Sequence, residues 1–179
     1  MKIDKYKKFL EAVSISQVSF GSTTIHLFSE DELSKGQIGY SIDSNGKPLT
    51  GNDEGDWKRG WFVIGFEDLC GDPIFIDLEM DCFPVFTAMH GIGHWNEQEV
   101  AETFEGFVGV LEVIAGVSKG RNTDALLEQN PLSSKEKRAI LAEIKKIIPN
   151  SSTGFWENLL DIELWEANLP VNHKPKLPK

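Results

Sequence analysis

Long apolar runs are the first thing missing from this sequence. None approaches the roughly 20 residues that cross a bilayer, so no membrane-spanning helix is expected. The opening MKIDKYKKFLEAV carries positive charge but no unbroken apolar stretch, which argues against a secretory leader. Cysteine is scarce: two in 179 residues do not make a disulfide framework. Together these absences predict a cytoplasmic protein. Positive charge is also in short supply, with Lys+Arg 18 against Asp+Glu 28 and a net charge of −10. Neither nucleic acid nor membrane is therefore an expected partner. No internal repeat is visible.

What is present is ordinary in kind. Hydrophobic content of 40% and charged content of 26% suit a globular protein and exclude disorder, collagen and a coiled-coil rod. A chain of this length buries roughly 70% of the surface its unfolded form exposes, so its core needs no staple. The charge is unevenly spread. Residues 1–130 carry 10 basic and 22 acidic groups, whereas residues 131–179 carry 8 and 6. Within 30–112 the count is 4 against 18, a local charge of −14. Such a segment keeps a protein soluble and also attracts basic partners at an enhanced rate.

The apolar pattern divides the chain. Ile3, Tyr6, Phe9, Leu10 and Val13 lie on one helical stripe. Val18, Phe20, Ile25, Leu27 and Phe28 suggest short strands broken at Gly21, and Ser29 with Glu32 forms a capping-box pattern. Asn45-Gly46 is the dipeptide suited to the positive φ angles of a tight hairpin turn. GNDEGDWKRG reads as a polar loop from Gly51 to Gly60, and Trp61–Ile64 as an apolar strand. Ile74, Ile76, Leu78 and Met80 alternate with Asp77, Glu79 and Asp81, predicting a strand with one wet face. Phe83–Thr87 reads as its hairpin partner, with Pro84 marking an edge or a bulge. Asn96 with Glu99 predicts a helix start, stapled by Trp95 and Val100, whose apolar face continues through Phe104, Phe107, Leu111 and Ile114. A second capping box, Ser133 with Glu136, opens a helix with Ile140, Ile144, Ile147 and Ile148 inward, stopped before Pro149. Phe155, Trp156, Leu159, Leu160 and Trp165 predict one more helix. The fold class expected is α+β: an antiparallel or mixed twisted sheet packed against helices, with a helical C-terminal extension.

Signatures of catalysis are missing: there is no G-x-S-x-G elbow, P-loop or H-E-x-x-H. Gly91-x-Gly93-x-x-Asn96 lacks the third glycine of a dinucleotide fingerprint and the parallel βαβ context. His90 and His94 have the spacing that on a helix reaches one metal, but Gly91 and Gly93 oppose a helix there and no cysteine pair completes a four-ligand site. No catalytic residue, metal or cofactor is expected. Cys70 and Cys82 do not mirror each other about the turn near Glu79–Met80, so no cross-strand disulfide is expected.

Carboxylates form the remaining groups. Asp77, Glu79 and Asp81 on one strand face, with Cα atoms roughly 6.5–7 Å apart, could divide acid and base roles, but alternate charges are first of all the wet side of a half-exposed strand. Asp53, Glu54 and Asp56 lack the twelve-residue calcium-loop pattern and read as a solvated loop. Of five tryptophans, Trp61, Trp95, Trp156 and Trp165 are assigned to packing. Trp57, inside the polar loop, stays open between core and surface.

The stretch WFVIGFEDLCGDPIFIDLEMDCFPVFTAMHGIGHWNEQEVAETFEGFVGVL resembles the SUKH superfamily, bacterial immunity proteins grouped with the yeast cell-wall-synthesis regulator. The residues carrying the likeness are Gly65, Gly71-Asp72, Asp77, Val85-Phe86, Trp95 and Phe104–Phe107. Upstream, Tyr6–Leu10 and IHLFSEDEL are similar to the family's first helix and early strand-to-helix step, so the likeness spans roughly residues 3–115. The family's Leu-Pro ahead of the first helix and the Asn-Gly-Gly after it are absent.

The resemblance implies a SUKH-like α+β domain over residues 1–118, to which the sequence adds a packed helical extension over 119–169 and a flexible tail over 170–179. It also implies a non-catalytic protein that binds and neutralises a cognate toxin domain, frequently a nuclease. The expected partner is basic, and the expected contact residues are Asp53, Glu54, Asp56, Trp57, Asp77, Glu79 and Asp81. Two alternatives stand beside this: a regulatory scaffold docking partners through its C-terminal helices, and a carboxylate-dependent hydrolase using Asp77 and Glu79.

Overall fold

A computed structural model describes residues 2–20, 23–53, 55–89, 91, 93–119 and 132–167, with side chains of the last helix described through Leu160. The short β-branched and aromatic runs pair into one six-stranded antiparallel meander in chain order. Its strands are β1 (Gln17–Phe20), β2 (Thr23–Leu27), β3 (Trp61–Glu67), β4 (Pro73–Asp77), β5 (Val85–Ala88) and β6 (Glu97–Ala101). Five helices accompany it among the described residues: α1 (Lys2–Glu11), α2 (Glu30–Gly36), α3 (Phe104–Ser118), α4 (Ser134–Ile147) and α5 (Gly154–Ala167). The chain is thus α+β, with an antiparallel sheet. No helix among the described residues is long and apolar enough to cross a membrane.

Side chains alternate across a strand, so the two faces of the sheet are built from interleaved residues. Val18, Phe20, Ile25, Leu27, Ile64, Ile74, Ile76 and Val85 enter the larger core, together with the apolar faces of the helices. Trp61, Val63, Phe75 and Ala88 face the other way, into a second cluster closed by Trp57. β3 and β4 are therefore buried on both sides. Gly65 is where the strands run closest: a Cβ there would lie 2.0 Å from the His26 carbonyl oxygen, and the β3–β4 register shifts between Val63 and Gly65.

Both capping boxes form. Ser29 and Glu32 open α2, and Ser133 and Glu136 open α4. α4 and α5 share the core of α3, through Ile140, Ile144, Ile148, Trp156 and Leu160. The Trp156 indole donates to the Val100 carbonyl at 3.0 Å, tying α5 to β6.

Three local expectations are corrected and a fourth is narrowed. The segment after Trp95 is not helical until Phe104, because β5 needs a partner along its free edge and Glu97–Ala101 supplies it. Thr103 caps the helix instead, its side chain accepting from the Gly106 amide at 2.9 Å. The strand through Asp77 and Asp81 ends at Asp77, and it has no wet face before that, since Ile74, Phe75 and Ile76 are all buried. In the Asn45-Gly46 turn only Gly46 takes a positive φ, +80°, and the Asp43 carboxylate organises the turn by accepting the Asn45 and Lys47 amides. Of the two readings of Pro84, an edge or a bulge, the bulge is found, between Val85 and Phe86, and β5 is internal to the sheet.

Two buried polar side chains test how the sheet is satisfied. Beyond the β2 ladder the Val63 amide and carbonyl would be unpaired. Buried Gln37 supplies both partners: its Oε1 accepts from Val63 N at 3.0 Å, and its Nε2 donates to Val63 O and Leu33 O, each at 2.8 Å. Tyr6 is the opposite case. Its hydroxyl is buried without a partner among Phe62, Phe83 and Phe104, and burial holds the phenol proton well above the usual tyrosine range. Gln37→Leu should destabilise by about 2–4 kcal/mol, because two backbone groups lose their partners at about 1–3 kcal/mol each. Tyr6→Phe should stabilise by about 1 kcal/mol, raising Tm by about 2–4 °C. Denaturant and thermal unfolding measure both; a gain in stability from Gln37→Leu, or a loss from Tyr6→Phe, contradicts these assignments.

Candidate functional site

Gly51 to Gly60 crosses the second face of the sheet, and its one large apolar side chain decides how it lies. Trp57 is 1% exposed. Its indole nitrogen donates to the Trp61 carbonyl at 2.9 Å, and its ring packs within 5.1 Å, centroid to centroid, of Tyr40, Trp61, Phe75 and Trp95. Of the two readings left open for Trp57 the core is the one found, and its burial corrects its place among the expected contact residues. Burying the indole removes more apolar area from water than any other side chain of the loop could.

With the indole inside, the loop's two described carboxylates lie toward the surface. Asp53 is exposed and Asp56 half-buried, the latter accepting the Asp53 amide at 3.0 Å. Both line a groove of about 460 Å³, with Trp61 and Trp95 as its aromatic wall and Lys58, His94 and Glu97 at its rim. Lys58 is bonded to Glu97 while its ammonium lies 4.4 Å from the Trp61 ring centroid. A cation is thus already held between a carboxylate and an aromatic face, an arrangement stabilised by the ring quadrupole. Glu54 and His90 lie outside the described residues.

The second acidic group is organised differently. Asp77 ends β4 beside Gly60, and its carboxylate accepts the Glu79 amide at 2.8 Å. Glu79 and Asp81 sit on the following turn, next to α1: Lys2 donates to the Glu79 carbonyl and lies 3.5 Å from the Asp81 carboxylate, and Lys5 donates to the Asp81 carbonyl at 2.9 Å. The strand geometry that would have set Asp77, Glu79 and Asp81 in a row is gone. Asp53 and Asp56 share a groove, whereas the 77–81 turn is partly offset by helix lysines.

Residues that sequence reasoning did not select for the site are Tyr40, Trp95, Lys58 and Glu97. Glu97 carried the clearest available signal, as one of the acidic residues in the −14 segment, but its place opposite Lys58 depends on strand pairing. Partial burial pushes the Glu97 carboxyl up; the Lys58 hydrogen bond and charge outweigh this and hold it below the usual glutamate range.

One further cluster has metal-ligand chemistry. Atoms of Glu67, Cys70 and Asp72 lie within 4.8 Å of one another. Glu67 is committed to the β3–β4 turn, where its carboxylate accepts the amides of Leu69, Cys70 and Asp72 at 3.0–3.1 Å. Partial desolvation and the neighbouring Glu67 and Asp72 charges push the Cys70 thiol up. Cys70 and Cys82 are both free and exposed.

The Lys58–Glu97 contact should be pH-dependent. A depressed folded pKa means its contribution is complete above the ordinary glutamate value, 4.5, and is lost as pH falls through the lower folded value. The Glu97 carboxyl carbon shift followed by NMR should titrate below 4.5, and Lys58→Met should return it to the ordinary range; no response to Lys58→Met contradicts the pairing. Compared with known proteins, the chain matches no protein-family model, no curated protein and no solved structure.

Proposed function

We propose that this is a cytoplasmic binding protein of the SUKH immunity type, which neutralises a basic toxin domain, a nuclease above all, by presenting an acidic surface. The observation carrying the proposal is the groove in which Lys58 lies against Trp61 and Glu97 while Asp53, Asp56 and the Trp95 ring line the rest. A lysine or arginine from a partner would meet the same chemistry: a carboxylate for its charge and an aromatic face for its stem. The −14 carried by residues 30–112 supports the reading at longer range, since a nuclease keeps a cationic groove for phosphate and a carboxylate surface competes for it by the same electrostatics. The α+β fold and the sequence likeness over roughly residues 3–115 are compatible with it.

The contact surface proposed is narrower than the sequence suggests. Asp53 and Asp56, joined by Trp95, form its centre. Asp77, Glu79 and Asp81 extend it on the far side of Gly60, with weaker potential because Lys2 and Lys5 lie beside the last two. The scaffold alternative places docking on the C-terminal helices. Truncation cannot separate the two readings, because removing α4 and α5 would strip Ile144, Ile148, Trp156 and Leu160 from the core shared with α3.

The separating experiment is charge reversal. Asp53→Lys with Asp56→Lys should slow association with the toxin domain encoded beside the gene by about tenfold or more at low salt. The difference should shrink towards zero near 1 M salt, where the Debye length is about 3 Å. Stopped-flow association over a salt series gives the answer. Unchanged rates and salt dependence would remove the groove from the proposal, and wild-type protein that neither binds nor neutralises the toxin domain would remove the function.

A further inference from the structure

The place between the Trp61 ring and the Glu97 carboxylate holds one cation, and in the free protein it is already filled. Lys58 is the only lysine or arginine among the described residues that line the groove. It is also one of just 4 basic residues in the acidic segment 30–112. Its ammonium lies 4.4 Å from the Trp61 ring centroid, the shortest cation–ring contact among the described residues; the others, both made by Lys5, are 5.3 and 5.9 Å. The same ammonium donates to the Glu97 carboxylate. Trp61 is 5% exposed, and Trp57 and Phe75 hold its ring at 5.1 and 4.6 Å between centroids. The aromatic half of the seat is therefore fixed by packing, whatever cation lies on it.

The occupant is held loosely. The Lys58 side chain is 55% exposed and that of Glu97 36%, and an ion pair this open to water contributes little. An ammonium is strongly hydrated, and its flexible four-carbon stem lets it leave for water without moving the backbone. A partner's cation cannot share the seat, because two like charges at one carboxylate repel. Displacement by another lysine exchanges one ammonium for an equivalent one and gains nothing there. A guanidinium does gain: it is planar, less hydrated, stacks on an aromatic face and meets a carboxylate with two parallel N–H donors.

We propose that Lys58 plugs the groove from within, and that the partner group which displaces it, stacking on Trp61 and pairing with Glu97, is an arginine. This rests on the groove being the partner surface, and it adds the residue that regulates that surface. While Lys58 is seated, the affinity for an incoming cation is reduced by the fraction of molecules in which the seat is open.

N-acetylarginine amide and N-acetyllysine amide test the plug without any toxin domain, by NMR titration of the full chain. In the wild type the Lys58 ε-methylene protons should lie upfield, in the ring current of Trp61, and the arginine amide should return them to ordinary positions as it saturates. Lys58→Met should bind the arginine amide about fivefold more tightly than the wild type does. Arg59→Met is the control: it removes the same charge from the next residue, which is exposed and does not line the groove. That variant should change the affinity by about twofold at most in about 0.15 M salt. The arginine amide should be preferred to the lysine amide by wild type and Lys58→Met alike. An equal gain in Arg59→Met, a lysine amide bound as well as the arginine amide, or Lys58 protons unmoved by arginine amide each overturns the proposal. So does failure of the arginine amide to bind Lys58→Met. The function fails separately. A toxin domain that does not bind removes the function while the titrations still decide the plug, whereas one that binds wild type, Lys58→Met and Arg59→Met with equal affinity keeps the function and removes the plug.

Discussion

Two adjacent strands that are apolar on both faces constrain everything else in this protein. β3 and β4 send Ile64, Ile74 and Ile76 to one side and Trp61, Val63 and Phe75 to the other. At about 25 cal/mol per Å² of apolar surface, neither side can be left to water. The chain must supply two covers, and among the described residues its helices cover only one. The other is covered by the irregular segment between α2 and β3, held down by Tyr40 and Trp57 with Trp95 from beyond β5. Gln37 makes the arrangement electrically acceptable, since a strand whose neighbour has ended needs some other group to meet its amide and carbonyl.

The acidic groove is a consequence of that cover. With its one indole buried, the loop leaves Asp53 and Asp56 at the surface close to the residue that anchors them, Trp57. Stability and the proposed binding chemistry share the same aromatic cluster. Its lower members are packed and its upper edge, Trp95, is half-buried beside the carboxylates. An aromatic wall packed in advance beside surface carboxylates favours specificity, because the ring is held in place before any partner arrives.

The helix-facing side ends differently. There the core is closed by α3 with α4 and α5, and the last row of the sheet changes from Ile and Val to Thr, Glu and Thr before the helices close over it. Glu67 shows why a charge can sit there: three amides of its own turn satisfy it, at the geometry of a carboxylate cap. The same row leaves the Thr23 hydroxyl unmet, so one end of the core is polar without being fully paired.

Features governed by near neighbours in the chain were legible in the sequence. The capping boxes at Ser29 and Ser133, the stripe of α1 and the stop before Pro149 each depend on contacts within four residues, the strands on either side of Gly21 pair with each other within ten, and each is found as read. The acidity of the middle segment was equally plain. Wherever the outcome depended on a distant partner, pattern alone was insufficient. Asn96 and Glu99 have helix-start spacing, yet the segment became a strand because β5 had an edge to fill. Asp77, Glu79 and Asp81 alternate like a strand, yet the strand stops at Asp77, whose partner Trp61 is the first residue of β3. Trp57 is surrounded by polar residues in the chain and by aromatic rings in space. Composition and local hydrogen bonding set the elements and the charge; the burial of two sheet faces, a long-range requirement, decided which side chains became core and which became surface.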